Sequence, residues 1–265
     1  MKIPVALSIA GSDPSGGAGI QADLKSFHQF GVYGEAVITL LTVQNTVAVE
    51  QVRVLEPDFV VAQLRAVLED IPPLAAKTGA LGNAALVEAI AFEATEFLFP
   101  LVVDPVMVSK HGAPLMDEAA REKLIELLLP AASLVTPNLP EASVITGRDI
   151  ADFAQMRDAA LAILDLGAGA VLLKGGHLAG DAIDLLLWPG GERVLPAPRL
   201  TTPHTHGTGC SYSAAITALL AAGVPLEEAV AQAKDWIHRA IDTNPGLGRG
   251  NGPVNHFAKP GPSRS

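Results

Sequence analysis

The run Thr205-His206-Gly207-Thr208-Gly209-Cys210 stands directly before the uncharged stretch Ser211 to Ala222, which has the composition of a helix. The first N–H groups of a helix have no intrahelical partner and lie at the positive end of its dipole, so a turn of this kind can hold an anion. Gly207 and Gly209 let a ligand oxygen approach the amides without a Cβ in the way. At a helix N-terminus the Cys210 thiol is expected to titrate below the usual ~8.5 and to carry some thiolate character near neutrality. The chemistry this suits is the holding of negative charge on a phosphoryl group during transfer, with Gly207, Thr208, Gly209 and Cys210 as the catalytic turn. A Cys/His hydrolase built on Cys210 and His206 is a distant alternative, because a shared turn does not by itself set the imidazole against the sulfur.

A second glycine-rich run, Gly11-Ser12-Asp13-Pro14-Ser15-Gly16-Gly17-Ala18-Gly19, lies between an apolar strand-like segment and an amphipathic one. Its Gly17-x-Gly19-x-x-Ala22 spacing matches the dinucleotide fingerprint, a weak signal when alone. Five residues separate the strand end from Gly16, and the next strand ends at Gln44-Asn45 rather than at an acidic ribose ligand, so the fingerprint is rejected. No Gly-Lys-Ser/Thr occurs, which excludes a P-loop. What remains is a loop where backbone comes close to a small ligand at the carboxyl ends of parallel strands.

These turns need a scaffold, and the alternation of segments describes one. Strands are expected at Val5 to Ala10, Ala36 to Val43, Leu74 to Lys77, Leu101 to Asp104, Leu134 to Thr136 and Ala170 to Lys174. Between them, 19–30, 58–70, 83–96, 117–129 and 152–166 carry apolar residues at helical spacing. That order predicts an α/β fold with a mainly parallel sheet and crossover helices on both faces. Asp184 to Trp188 and Arg193 to Leu195 flank Pro189-Gly190-Gly191 and predict antiparallel strands at one sheet edge. Helices are expected again at 208–222 and 226–242, and a single domain over 1–258 with a frayed tail, 259–265.

Composition narrows the partners. The chain has 265 residues, of which 49% are apolar and 17% charged, enough to bury a large core. With 18 Lys and Arg against 28 Asp and Glu, the net charge of −10 leaves no basic surface for nucleic acid, so an anionic substrate needs a local device such as the 205–210 turn. The single cysteine allows no intrachain disulfide. The apolar run Ile3 to Ala10 after Lys2 mimics a leader but is short and feeds the glycine loop. The stretch Ser211 to Leu226 is broken by Gly223 and Pro225, so neither spans a bilayer and the protein is expected in the cytoplasm.

Taken as an ordered set, Gly11-Ser12-Asp13, Gly16 to Asp23, Gln44-Asn45-Thr46, Asp104-Pro105-Val106-Met107, Thr136-Pro137-Asn138-x-x-Glu141-Ala142, Lys174-Gly175-Gly176-His177, His206 to Cys210 and the closing Gly250 to Phe257 resemble the hydroxymethylpyrimidine/phosphomethylpyrimidine kinases of thiamine biosynthesis, which have the ribokinase-like fold. The resemblance covers nearly the whole chain. It implies phosphorylation of 4-amino-5-hydroxymethyl-2-methylpyrimidine and then of its monophosphate, with ATP as co-substrate, Mg²⁺ as cofactor and a homodimer as a common assembly. It further implies a substrate pocket of Gly11, Asp23, Gln44 and Val106, in which the Gln44 amide offers both a donor and an acceptor to the ring nitrogen and exocyclic amine. Ala80 departs from the bulkier residue, often methionine, expected at its position, so a roomier pocket is expected.

Asp104 ends a strand where an unpaired carboxylate is costly, and with Glu141 it is expected to support Mg²⁺, through water. Asn138, Lys174 and Thr208 are expected on the nucleotide phosphates; capping of the next helix is the other reading for Asn138 and Glu141. Many relatives with this fold place an aspartate as general base where this chain has Cys210. In the second phosphorylation the nucleophile is itself a phosphate, which needs no base and would be repelled by a carboxylate. Two other activities remain: a pyridoxal kinase, whose substrate also carries a hydroxymethyl group, and a non-catalytic pyrimidine-sensing module, which retention of Asp104, Glu141, Lys174 and the anion turn opposes.

Overall fold

The computed structural model describes residues 3–110, 112–176, 178 and 180–261. His177 and the end of the expected frayed tail, 262–265, lie outside the described residues. Among the described residues the strands form one nine-stranded sheet. In chain order they are β1 (Val5–Ser12), β2 (Tyr33–Gln44), β3 (Val49–Val54), β4 (Ala75–Thr78), β5 (Leu101–Val103), β6 (Leu134–Val135), β7 (Val171–Leu173), β8 (Asp184–Trp188) and β9 (Gly191–Leu195). The spatial order is β3-β2-β1-β4-β5-β6-β7-β8-β9, with β2 through β7 parallel in that order and β3, β8 and β9 antiparallel to their neighbours.

The helices are α1 (Gly19–Gln29), α2 (Pro57–Asp70), α3 (Ala84–Ala94), α4 (Glu118–Lys123), α5 (Leu139–Thr146), α6 (Phe153–Asp165), α7 (Thr208–Ala221) and α8 (Leu226–Asp242). A π-helical turn, Leu124–Leu128, continues α4. Strand side chains alternate between two cores, as the two-residue pleat requires. Leu7, Ile9, Val103, Val135 and Leu173 pack under the layer containing α2 to α6. Ala6, Val102, Leu134 and Leu172 turn to the opposite face, under α1, α7 and α8. Helix α7 is built of small residues, Ser213-Ala214-Ala215 and Thr217-Ala218 among them, and is buried along most of its length between α1, α8 and the sheet. Its N-terminus is thereby delivered to the carboxyl ends of β1, β4 and β5.

The mainly parallel sheet with helices on both faces is as expected, whereas antiparallel strands lie at both edges rather than one. Strand β3 was not anticipated: Val49-Glu50-Gln51-Val52-Arg53-Val54 is largely exposed at the sheet edge, so it lacks the apolar run that marks the central strands.

Glu35 on β2 is 7% exposed, and one of its carboxyl oxygens has no hydrogen-bond partner. Burial and then Asp70 push its pKa from 4.5 up to about 7. The folded state therefore holds this proton more tightly than the unfolded chain, and the stability it contributes is full below pH 4.5 and lost as pH rises through about 7. Glu35→Gln is expected to match the unsubstituted protein at pH 4.5 and to gain roughly 1–2 kcal/mol at pH 8 after allowance for solvent screening. Thermal unfolding at both pH values reads this as a rise of roughly 2–8 °C at the higher one; an equal rise at both would show a packing effect instead.

Candidate active site

A cleft of about 630 Å³ opens at the carboxyl ends of the parallel strands. Strand order reverses between β1 and β4, where open α/β sheets place their ligands. Gly11, Gln44, Val106, Asp104, Asn138, Glu141, Lys174 and Gly207 to Cys210 all line it, so segments far apart in the chain meet around one space. Ala80 also lines it, beside Leu40 and Gly11. Asp23 is corrected: it is fully buried behind the wall and does not face the cleft. Its carboxylate accepts from Lys77 Nζ at 2.9 Å and from the Ser8 hydroxyl at 2.6 Å. Lys77, itself fully buried, is the member of the pair that belongs to the cleft wall, and Asp23 holds its ammonium.

The anion turn forms as the residue types require. Gly207 is the N-cap of α7 at φ 74°, and a Cβ there would stand 1.8 Å from the Gly17 carbonyl oxygen. Among the described residues no acceptor engages the amides of Gly207, Gly209 or Cys210. Thr208 departs from the expected set of four: its N–H donates to the Thr205 carbonyl at 3.3 Å, and its hydroxyl to the same oxygen at 2.8 Å. Three residues whose amides have no acceptor among the described residues therefore line the cleft at the positive end of a well-packed helix. Gly207→Ala would force both a strained left-handed backbone and retreat of the 16–19 loop. Its expected loss in kcat is on the order of 10²-fold, the scale of a misplacement of about 1 Å, with far-ultraviolet circular dichroism unchanged.

The thiol is a second correction. Burial pushes Cys210 up from 9.0 to about 11, Lys77 pulls it down, and Asp23 and Asp104 push it up again. The helix terminus does not overcome two carboxylates and desolvation, so Cys210 is a neutral thiol at pH 7 rather than a partial thiolate. A nucleophilic Cys/His pair is disfavoured by the same field, and His206 Nε2 is instead committed to Asp13 at 2.8 Å.

Across from the turn, Asp104 Oδ1 accepts from Lys174 Nζ at 3.1 Å and from the Thr136 hydroxyl at 3.0 Å, while Oδ2 accepts from Ser213 Oγ at 3.2 Å. Desolvation opposes ionisation of Asp104, but Lys174 and Lys77 outweigh it and hold the carboxyl below its ordinary range. Glu141 lies in the same field. Burial and Asp104 raise it to about 7 against the pull of Lys174.

Asn138 and Glu141 cap α5 reciprocally: Asn138 Oδ1 accepts from the Glu141 N–H at 2.9 Å, and Glu141 Oε2 from the Asn138 N–H at 2.9 Å. The capping reading of these two residues is thus realised, and it fixes the Glu141 side chain at the cleft wall. Among the described residues no cluster of three or more His, Cys, Asp and Glu side chains is arranged for a metal. Two buried carboxylates suit a hard cation that keeps its waters and takes phosphate oxygens as further ligands, which is the habit of Mg²⁺.

Asp13 and Lys77 line the cleft but had no role in the sequence analysis, and His206 entered there only as a distant partner for Cys210. Lys77 was legible, since a lysine inside Ala75-Ala76-Lys77-Thr78 must meet a partner once that strand is buried. Asp13 organises its loop, accepting from the N–H groups of Ser15 at 2.9 Å, Gly17 at 3.2 Å and Ala18 at 2.9 Å. Only the fold brings His206 to it, 193 positions away in the chain.

Comparison with known proteins gives the same outline. The family model for phosphomethylpyrimidine kinase matches residues 13–255. A hydroxymethylpyrimidine/phosphomethylpyrimidine kinase of Synechococcus elongatus is 46% identical over 97% of this chain and 98% of its own length. The thiamine biosynthesis bifunctional protein ThiED of Geobacter sulfurreducens is 51% identical over 95% of this chain, and the chain spans 52% of that longer protein. Among solved structures, an ADP complex of Bacillus subtilis pyridoxal kinase superposes with a TM-score of 0.90 at 39% identity, covering 97% of this chain and 98% of that one.

Proposed function

Because this chain belongs to the phosphomethylpyrimidine kinase family, we propose that it transfers the terminal phosphoryl group of ATP to 4-amino-5-hydroxymethyl-2-methylpyrimidine and then to the resulting monophosphate, in thiamine biosynthesis. The observation that carries this reading is that three residues with open amides at the start of α7 line one cleft together with Asp104, Glu141 and Lys174, Gly209 lying beside the Lys174 ammonium. The pyrimidine would lie between Gly11, Gln44, Ala80 and Val106, and the nucleotide phosphates near Asn138 and Lys174. The structurally similar Bacillus kinase binds ADP, a ligand of the class this reading requires.

In each step an oxygen of the acceptor attacks the γ-phosphorus, a P–O bond forms, and the bond to the β-phosphate oxygen breaks to release ADP; in the first step the hydroxyl proton passes to an oxygen of the transferred phosphoryl group and from there to water. Such transfers depend chiefly on positioning and on neutralising charge over the three equatorial oxygens. The Gly207, Gly209 and Cys210 amides hold those oxygens, Lys77 adds a fixed positive charge beside Cys210, and Lys174 neutralises the leaving phosphates. Mg²⁺, held by Asp104 and Glu141 through water, would supply further charge neutralisation on the phosphates. Cys210, neutral and small, accepts no proton; it leaves room for a phosphorylated acceptor. A cytoplasmic location fits the ATP requirement, and among the described residues no helix is long and apolar enough to cross a membrane.

A pyridoxal kinase activity is the second reading, favoured by the likeness to the Bacillus structure and by the small Ala80 at the cleft wall. Incubation with ATP, Mg²⁺ and, in separate reactions, the hydroxymethylpyrimidine or pyridoxal, followed by mass analysis of every product, separates the two. Formation of both mono- and diphosphate supports the proposal. Product from pyridoxal alone would replace it.

A further inference from the structure

The Asp13 carboxylate is buried, and every contact it makes is with a donor. Oδ1 accepts from the Ser15 N–H at 2.9 Å and hydroxyl at 2.7 Å, and Oδ2 from the Gly17 and Ala18 N–H groups at 3.2 and 2.9 Å. Burial opposes its ionisation, but the His206 and Ser15 hydrogen bonds outweigh burial and hold it below the ordinary carboxylate range. An ionised carboxylate can only accept, so His206 Nε2, 2.8 Å from Oδ2, carries a hydrogen whether the ring is neutral or charged.

The side-chain amide of Gln44 lies against that same nitrogen, with Nε2 to Nε2 at 3.3 Å. Two donors cannot bond one another. Half a turn of the amide about its terminal bond replaces the clash with a carbonyl oxygen that shares the His206 hydrogen, and it turns the NH₂ group away from His206, on a residue that lines the cleft. The amide that sequence reasoning expected to offer both a donor and an acceptor to the ring has its acceptor end occupied by the protein.

We propose that Asp13 and His206 are positioning residues for substrate recognition: they fix the Gln44 amide with its NH₂ toward the ligand, so that the site selects a ring bearing a lone-pair nitrogen at that position. This rests on the reading of the cleft as a pyrimidine site. A 4-aminopyrimidine offers such a nitrogen beside its exocyclic amine. A pyrimidinone carrying N–H there would set donor against donor and lose binding.

The test has two arms. In the ligand-free, ¹⁵N-labelled protein, long-range correlations of the His206 ring, assigned by their loss in His206→Gln, are expected to show Nε2 protonated; an unprotonated Nε2 would overturn the inference. In steady-state kinetics, Gln44→Glu keeps an acceptor of nearly the same shape and removes the donor. Its KM for the hydroxymethylpyrimidine is expected to rise by about tenfold or more, with kcat and the KM for ATP changed by less than about threefold. A KM within about threefold of the unsubstituted enzyme would show that the oxygen faces the ring and would sink the proposal. If the unsubstituted enzyme fails to phosphorylate the pyrimidine at all, the functional reading falls, and the His206 tautomer still decides the orientation of the amide.

Discussion

Replacing Lys174 by methionine is expected to lower kcat/KM for ATP by on the order of 10³-fold, the scale of losing a preorganised charge aimed at a transition state. Lys174 is 3.1 Å from Asp104, and it is the group that pulls down the pKa of both Asp104 and Glu141. Without it, two buried carboxylates face each other and the phosphates with one fewer cation. Glu141 would then hold its proton to still higher pH, since the opposing pull on a pKa already raised to about 7 is gone. The methionine variant should therefore unfold at lower temperature at pH 8 than at pH 6, because ionising the pair costs most at the higher pH. Lys174→Arg should recover part of kcat/KM and most of the stability. Methionine at this position with more than about a tenth of normal kcat/KM would show that the lysine serves the fold alone.

Cys210→Asp separates the two phosphorylations. The thiol stands amid Lys77, Asp23 and Asp104 and is neutral up to a pKa of about 11. An aspartate there would add a third carboxylate to that group beside the open amides. For the first step the nucleophile is an uncharged hydroxyl, and a loss of about tenfold to a hundredfold is expected from disturbed packing and charge. For the second step the nucleophile carries nearly two negative charges. A fixed carboxylate at ~4 Å then costs several kcal/mol at an effective dielectric of 20, on the order of a further 10³-fold. Cys210→Ala should cost less than about tenfold in either step, because no proton transfer is assigned to the sulfur. Rates of monophosphate and diphosphate formation, measured separately, give the comparison, and equal losses in both steps for the aspartate variant would refute the repulsion.

Much of the site was legible because its parts are local. The glycines and apolar residues of 205–222 specify a turn and helix by their own types, and Asn138-x-x-Glu141 is a capping box readable from spacing alone. The central strands were legible because both faces are buried, which demands continuous apolar runs. Exposure hid β3, whose valines at 49, 52 and 54 do not keep the two-residue alternation of a half-buried strand, and only pairing with β2 defines it. The charge states were not legible either. Helix position by itself lowers a thiol, and only the placement of Asp23 and Asp104 behind and beside Cys210 reverses that sign. Asp23 looked like a helix carboxylate at the pocket, but in the fold its partner is the buried Lys77 of β4, 54 positions away in the chain.

By itself, the order of residues determined that this chain folds as a mainly parallel α/β sheet with a glycine-rich turn opening the buried helix α7, since periodicity, glycine placement and caps act within a few residues. Which amides stay open, which way Gln44 presents its ends, and whether Cys210 is charged were decided only when β1, β4, β5 and α7 converged. Coulomb fields and desolvation depend on distance through space, and that distance is set by packing rather than by separation along the chain.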